Sequence, residues 1–339
     1  MSEAFVSYIT ERIGLICGYL FSIQRAGAEP IDVPAAAQWL GRTPATAGDE
    51  FLWLHFNLTH AATENWMREH LGLPEAFFEA LREGSTSSRI EHVDGKLIAV
   101  INDVIYDFAF ESSHIATLWV VVDEHSLISA RSRPLRSIDR LRLAVKAGES
   151  FDSSAELLIH LLNDQADVLA QIVRQASMRV DSVEDTLLAD QLNRNRADLG
   201  ALRRTLVRLQ RLLAPEPRSL FRLLNRLPSW MSDEDAQRLR ESTEDFALVV
   251  NDLMVLQERI KLLQEEIAAR INEHTNRNLF VLTVVTVLAL PINITAGLFG
   301  MNVGGVPLAQ QPWGFWIVAL GVVGITALAG LIIFRRQRD

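Results

Sequence analysis

The chain has 339 residues, with 33 Lys and Arg against 42 Asp and Glu, and a net charge of −9. That acidic balance argues against nucleic acid as a partner, and a single cysteine, Cys17, excludes an intrachain disulfide and a cysteine-based zinc site. The averages conceal a partition, because residues 278–334, a run of 57, contain no Asp, Glu, Lys, Arg or His.

The N-terminus carries Glu3 and Glu11 and lacks the basic-then-apolar order of a signal peptide, so the first domain is expected to stay where it is made. Residues 1–150 read as mixed α/β. Strand-like runs fall at 15–21, 51–56, 97–106, 115–123 and 127–131, with helical patterns at about 60–72, 75–83 and 134–147. The close succession of strands over 89–131 predicts that part of the sheet is antiparallel. Cys17 lies in an apolar run and reads as a small core residue. His60 and Glu64, at i and i+4, lack a convincing third ligand and read as ordinary surface residues.

From Ser153 the chain turns helical, with one pattern to about Leu192 and a second over about 195–213. Pro215, Pro217 and Pro228 are expected to break it, and SWMSDED reads as a helix start. From about Asp233 a single helix is predicted to continue to residue 299, roughly 100 Å at 1.5 Å per residue, which makes it a stalk leading into a membrane. It carries a stripe at Phe246, Val249, Leu253, Leu256, Ile260, Leu263 and Ile267 in steps of three and four. The simpler reading buries this stripe on the subunit's own helices; packing between subunits is the other.

The uncharged run supplies two stretches, Leu279–Phe299 and Phe315–Phe334, each near the roughly 20 residues a span requires. Arg270 and Arg277 precede the first, Arg335, Arg336 and Arg338 follow the second, and the intervening loop has no Lys or Arg. This predicts an inner-membrane protein with both termini cytoplasmic and the loop outside. Trp313 and Trp316 stand where an interfacial belt would place them. The predicted organisation is a cytoplasmic α/β domain over 1–150 and a helical hairpin over 151–232. A stalk over 233–299 follows, becoming the first span at about 279, then an outer loop over 300–314, a second span over 315–334 and a basic tail over 335–339.

Two helices cannot enclose a hydrophilic path, so transport would require several copies around an axis. One face of the first span, stepping through Asn276, Leu279, Thr283, Thr286, Leu290, Asn293 and Gly297, gathers every polar side chain of the span except Thr295. The opposite face, with Phe280, Val284, Val287, Ile294 and Leu298, is apolar. Polar residues at membrane depth face protein or water, so this stripe reads as pore-lining; bonding between helices is the plainer alternative. Its oxygens are neutral, which suits a hydrated divalent cation without choosing among metals. Continued backward, the stripe reaches Glu258 and Glu265, candidate acidic rings of a cytoplasmic funnel or ordinary solvated glutamates.

Gly300-Met301-Asn302, placed after an apolar span and before a short outer loop, resembles the signature of the CorA-type divalent-cation transporters. The two C-terminal spans, Pro291 in the first of them, the long preceding helix and the N-terminal α/β domain extend the resemblance over essentially the whole chain. The string GMNVGGVP is closer to the ZntB zinc-transporter branch than to the magnesium branch. The resemblance implies a funnel-shaped homopentamer in the bilayer with the first spans lining the pore. Asn302 would then form an oxygen ring that meets the hydrated metal at the outer entrance. It implies zinc uptake, with proton coupling as an option, or a magnesium, cobalt or nickel channel. A membrane-bound enzyme in the α/β domain is a further reading, but no nucleophile–base set or paired carboxylates there support it, and no cofactor beyond the transported cation is expected. Asn293 stands where the magnesium branch commonly has Thr, and Val303–Gly314 lacks an acidic residue to gather cations. A reading from another class is a membrane-anchored cytoplasmic scaffold or sensor.

Overall fold

The computed structural model describes residues 13–22, 25–41, 49–84, 88–110, 114–188, 195–301, 308 and 311–336. The chain forms two compact units, Met1–Gln264 and Glu265–Asp339.

In the first unit, seven strands make one sheet. They are β1 (Leu15–Ser22), β2 (Arg25–Pro30), β3 (Glu50–Asn57), β4 (Arg89–Val93), β5 (Lys96–Val104), β6 (Ile115–Asp123) and β7 (Ser126–Arg131), in the order β2-β1-β3-β7-β6-β5-β4. The pairing of β3 with β7 is parallel and all other pairs are antiparallel. Alternate residues of the central strands therefore serve two cores. Leu52, Leu54 and Phe56 of β3, with Val100 and Val121, face helices α1 (Val33–Leu40), α2 (Thr63–His70) and α3 (Glu75–Glu83) through Trp39, Met67, Phe77 and Phe78. Trp53, Ala99, Ile101, Val120 and Leu127 face α4 (Arg136–Lys146) and the start of α5 (Ser154–Leu188) through Ile138, Leu141, Leu158 and Leu161. Each such fully buried large side chain contributes about 1.5–3 kcal/mol.

The five strands expected from sequence are all present, each within one or two residues of its expected ends. Two strands and one helix, β2, β4 and α1, were not delimited by the hydrophobic pattern: β2 reads RAGAEP, and α1 is opened by the Asp32 cap and a first-turn proline. The helix expected over 60–72 is shorter, Thr63–His70, because residues 58–62 form a turn. Cys17 is half-buried on β1, and burial, partly offset by Arg142, pushes its thiol up to about 11.

Beyond the sheet, α5 and α6 (Asn195–Leu213) run as two long helices, and the residues expected over 189–192 lie outside the described ones. The expected break falls at Ala214, between α6 and the next helix, and Pro215 and Pro217 open that helix, α7 (Pro215–Leu224). The first turn of a helix leaves its N–H groups unpaired, so prolines fit there. The long helix α8 (Asp233–Phe299) begins as expected: Ser232 Oγ accepts from Asp235 N at 3.0 Å while Asp235 Oδ2 accepts from Ser232 N at 3.1 Å. It contains 67 residues, with Pro291 in its interior.

Most of the predicted stripe is buried within this single chain, with Phe246, Leu253, Leu256, Ile260, Leu263 and Ile267 at most 6% exposed. One member is corrected: Val249 is half-exposed and Val250 is buried instead, because a straight helix advances 3.6 residues per turn and drifts from a strict heptad. Polar bonds flank the seam. Arg259 Nε donates to Glu184 Oε1 at 2.8 Å and its Nη2 lies 2.7 Å from Asp181 Oδ1, while Arg203 Nη1 donates to Gln264 Oε1 at 3.0 Å.

Candidate functional site

The second unit contains the end of α8 and a second apolar helix, α9 (Gly314–Arg336). Both carry windows long and apolar enough to cross a membrane, and none of either window is buried within the chain. Leu279, Leu282, Val285, Leu290, Ile294, Leu320, Ile325 and Leu328 are all more than half exposed, a surface that water would not tolerate and that lipid or protein neighbours would cover.

Apart from Ala289, the half-buried residues of the first span trace the line it packs on its partner: Phe280, Val284, Leu288, Pro291 and Thr295. The facing line on α9 is Val318, Val322, Thr326, Ala329 and Gly330, and Leu288 Cδ2 would stand 4.0 Å from a Cβ placed on Gly330. At about 100° per residue, this face and the polar stripe point roughly 140° apart. All seven stripe residues, Asn276, Leu279, Thr283, Thr286, Leu290, Asn293 and Gly297, are exposed, turned away from α9.

The hydroxyls on the stripe are not free rotors. Thr283 Oγ1 donates to the Leu279 carbonyl at 2.7 Å and Thr286 Oγ1 to that of Leu282 at 2.8 Å. With each proton committed to its own helix, the oxygen presents only lone pairs outward, as a cation or the hydrogens of its water shell require. Thr295, the polar residue off the stripe, instead donates to the Pro291 carbonyl at 2.8 Å on the packed face. That bond neutralises the one polar side chain placed against α9.

The helix ends at the Gly-Met-Asn tripeptide. Gly300 N donates to the Ala296 carbonyl at 2.8 Å, and a Cβ on Gly300 would lie 2.9 Å from that same oxygen. Close approach of backbone to backbone, rather than a left-handed turn, is why the position needs glycine. Met301 is 51% exposed. Asn302, expected at the pore entrance, lies outside the described residues. Beyond it, Leu308 takes a φ of 66° and a Cβ on Gly314 would fall 2.3 Å from the Leu308 carbonyl, so a second glycine closes the return into α9. A cleft of about 620 Å³ opens between the helices at this end, walled by Ile292, Phe299, Leu308, Phe315, Val318 and Val322.

Of the expected funnel acids, Glu258 is paired with Lys261 Nζ at 2.9 Å and Glu265 is exposed. Among the described residues no cluster of His, Cys, Asp and Glu is set to hold a metal ion directly. The polar stripe itself offers amide and hydroxyl oxygens, a set that binds a hydrated ion through its water rather than replacing that water. Sequence reasoning missed the two backbone-tight glycine contacts and the Thr295 bond, none of which leaves a mark on hydropathy.

The chain matches the family described as CorA-like Mg2+ transporter protein over residues 48–336. It is 30% identical over 332 residues to the divalent cation transporter CmaX of Pseudomonas aeruginosa, covering 96% of each chain. It is 24% identical over 284 residues to the zinc transport protein ZntB of Pectobacterium atrosepticum, covering 84% of this chain and 86% of the relative. Among solved structures, that of full-length CmaX aligns with a TM-score of 0.80 at 28% identity over 96% of this chain and 98% of the other. The CorA magnesium transporter of Methanocaldococcus jannaschii aligns at 0.74 and 21% identity over 94% and 97%, a likeness of fold.

Proposed function

The chain belongs to the family of CorA-like Mg2+ transporter proteins, and from that premise we propose that it carries a divalent cation through an axial pore lined by its first span, with zinc as the cargo. The observation that carries the reading is the oxygen stripe at Thr283, Thr286 and Asn293, exposed on the side of the helix turned from α9. Several copies placed around an axis, five by the family resemblance, would turn each stripe residue into a ring. Asn302 would form the outermost oxygen ring, and Asn276 the innermost of the span.

Between these rings Leu279 and Leu290 supply apolar constrictions, which stop a hydrated ion by shedding water from the pore. Opening then requires only a small widening, because the ion keeps its inner water and exchanges hydrogen bonds from one neutral ring to the next. Glu258 and Glu265 would raise the local cation concentration on the cytoplasmic side; the Lys261 pair tempers the first of them. Charge flanking the spans supports an inner-membrane placement with both termini in the cytoplasm and the Gly-Met-Asn loop outside.

Zinc uptake, coupled to protons, is the specific reading, supported by the GMNVGGVP string and by the ZntB relative. Passage of magnesium, cobalt or nickel is the second reading, favoured by a stripe of neutral oxygens that suits a fully hydrated ion. Metal uptake into liposomes carrying the purified protein separates them. Zinc flux that responds to a pH gradient and is abolished in Asn302→Ala is the expected result. Magnesium flux indifferent to pH would reassign the cargo, and no flux of any divalent ion would leave the spans as an anchor for a cytoplasmic scaffold.

A further inference from the structure

Away from the membrane, a carboxyl group is enclosed at the corner where α7, α5 and the β4–β5 edge meet. Glu216, in the first turn of α7, is 1% exposed, and Gln165 of α5 beside it is 2% exposed. Gln165 Nε2 uses both its hydrogens, one on the Asn102 carbonyl at 2.9 Å and one on Glu216 Oε2 at 3.1 Å, which fixes the orientation of the amide. The Ser88 hydroxyl oxygen beside them accepts from Asn102 N at 3.1 Å. Two oxygens are left over. Glu216 Oε1 and Gln165 Oε1 are both buried and neither has a hydrogen-bond partner.

Two unsatisfied acceptors on an already bonded acid–amide pair lack one thing in common, a hydrogen. An ionised carboxylate has none to give, but a carboxylic acid protonated on Oε1 becomes the donor that Gln165 Oε1 needs, and the pair closes as a two-way ring. We propose that Glu216 holds a proton in the folded protein at neutral pH, donated to Gln165, and that this proton locks the corner joining the helical hairpin to the long helix α8.

A neighbouring acid makes the contrast. Asp103 of β5, also buried, accepts from Ser137 N at 2.8 Å, Ser137 Oγ at 2.6 Å and Val104 N at 2.7 Å. Burial raises the Asp103 carboxyl as well, but those three donors pull against the rise and favour its negative charge. Its charge in turn discourages a second one on Glu216, and burial discourages it more, lifting Glu216 to about 8. Other charges on the surrounding elements are engaged elsewhere. Arg89 of β4 pairs with Glu83 and Glu91, and Asp164 of α5 pairs with Arg140 and His160. Arg136 of α4 bonds the Tyr106 carbonyl, and Arg208, Arg211, Arg218 and Arg222 of α6 and α7 are exposed.

A carboxyl whose value is raised on folding favours the folded state at low pH, and that contribution is lost as pH rises from about 4.5 through about 8. The proton therefore acts as a latch that releases on mild alkalinisation. The experiment is an infrared pH titration of the full-length protein in detergent, with thermal unfolding on the same samples, for the native chain and for Glu216→Gln. A protonated-carboxyl band that disappears with a midpoint near 8 and is missing in Glu216→Gln is expected, together with a native Tm that falls over that range. In Glu216→Gln the alkaline fall should be absent. The absence of such a band in the native protein at neutral pH, or its persistence in the variant, overturns the proposal even if the variant is unstable. An equal alkaline fall in both proteins would overturn the latch.

Discussion

At Gly300 an added Cβ would stand 2.9 Å from the Ala296 carbonyl oxygen, the same oxygen that accepts the Gly300 N–H at 2.8 Å. Gly300→Ala cannot satisfy both without unwinding the last turn of α8, which would displace the residues after it. We expect cation flux in Gly300→Ala to fall at least about tenfold, a loss of roughly 1.4 kcal/mol in transition-state terms, while the purified protein keeps the unfolding transition of its first unit. Equal flux in variant and native protein would show that the helix end has slack. The glycine was legible in the chain as part of a motif, but its reason was not: the backbone there comes too close for a side chain. Glu216 shows the same limit. A carboxylate on a surface and one sealed beside Gln165 are the same letter, and only the packing of α7 on the sheet separates them.

Along α8 two apolar lines coexist. One, through Leu253, Leu256, Ile260 and Leu263, is buried on the chain's own helices. The other, at Leu248, Val255 and Leu262, repeats every seven residues and is 63%, 61% and 57% exposed. Removing bulk from each line should therefore give different phenotypes. Ile260→Ala empties a fully buried site and should lower stability by about 2–5 kcal/mol, read as a fall in Tm. Leu262→Ser should leave the Tm of the separated chain nearly unchanged and weaken assembly, read as a shift toward smaller species in size-exclusion light scattering. If Leu262→Ser leaves assembly intact, that line faces something other than a second copy. Long helices with strong periodicity were legible in the sequence because many residues vote on one phase. The short elements β2 and α1 were not, since six to eight residues such as RAGAEP carry too few apolar positions to set a period.

For the whole molecule, the spans stood out because 57 consecutive residues without charge leave few physical options. The polar stripe stood out because four oxygen-bearing side chains are conspicuous in hydrocarbon. What sequence could not give is the pairing of faces, since an exposed Leu290 and a half-buried Leu288 look alike until α9 is in place. Orientation in the membrane is open to a direct check that exploits the unreactive Cys17, whose thiol burial pushes to about 11. In Gln311→Cys, an impermeant maleimide should label intact cells at the outer loop, and in Arg335→Cys it should label only after permeabilisation; the reverse pattern would invert the topology. The parallel pairing of β3 with β7 has a bearing on how the protein is made. The middle of the sheet cannot close until residue 131 has left the ribosome, so the three-stranded group β2-β1-β3 waits with its β3 edge unpaired through the synthesis of some seventy residues. Closure nevertheless precedes the first apolar span, which begins near residue 279. The sheet domain can therefore mature before the insertion machinery engages the chain, and a defect in β3 should appear as loss of the nascent protein rather than as a misplaced span.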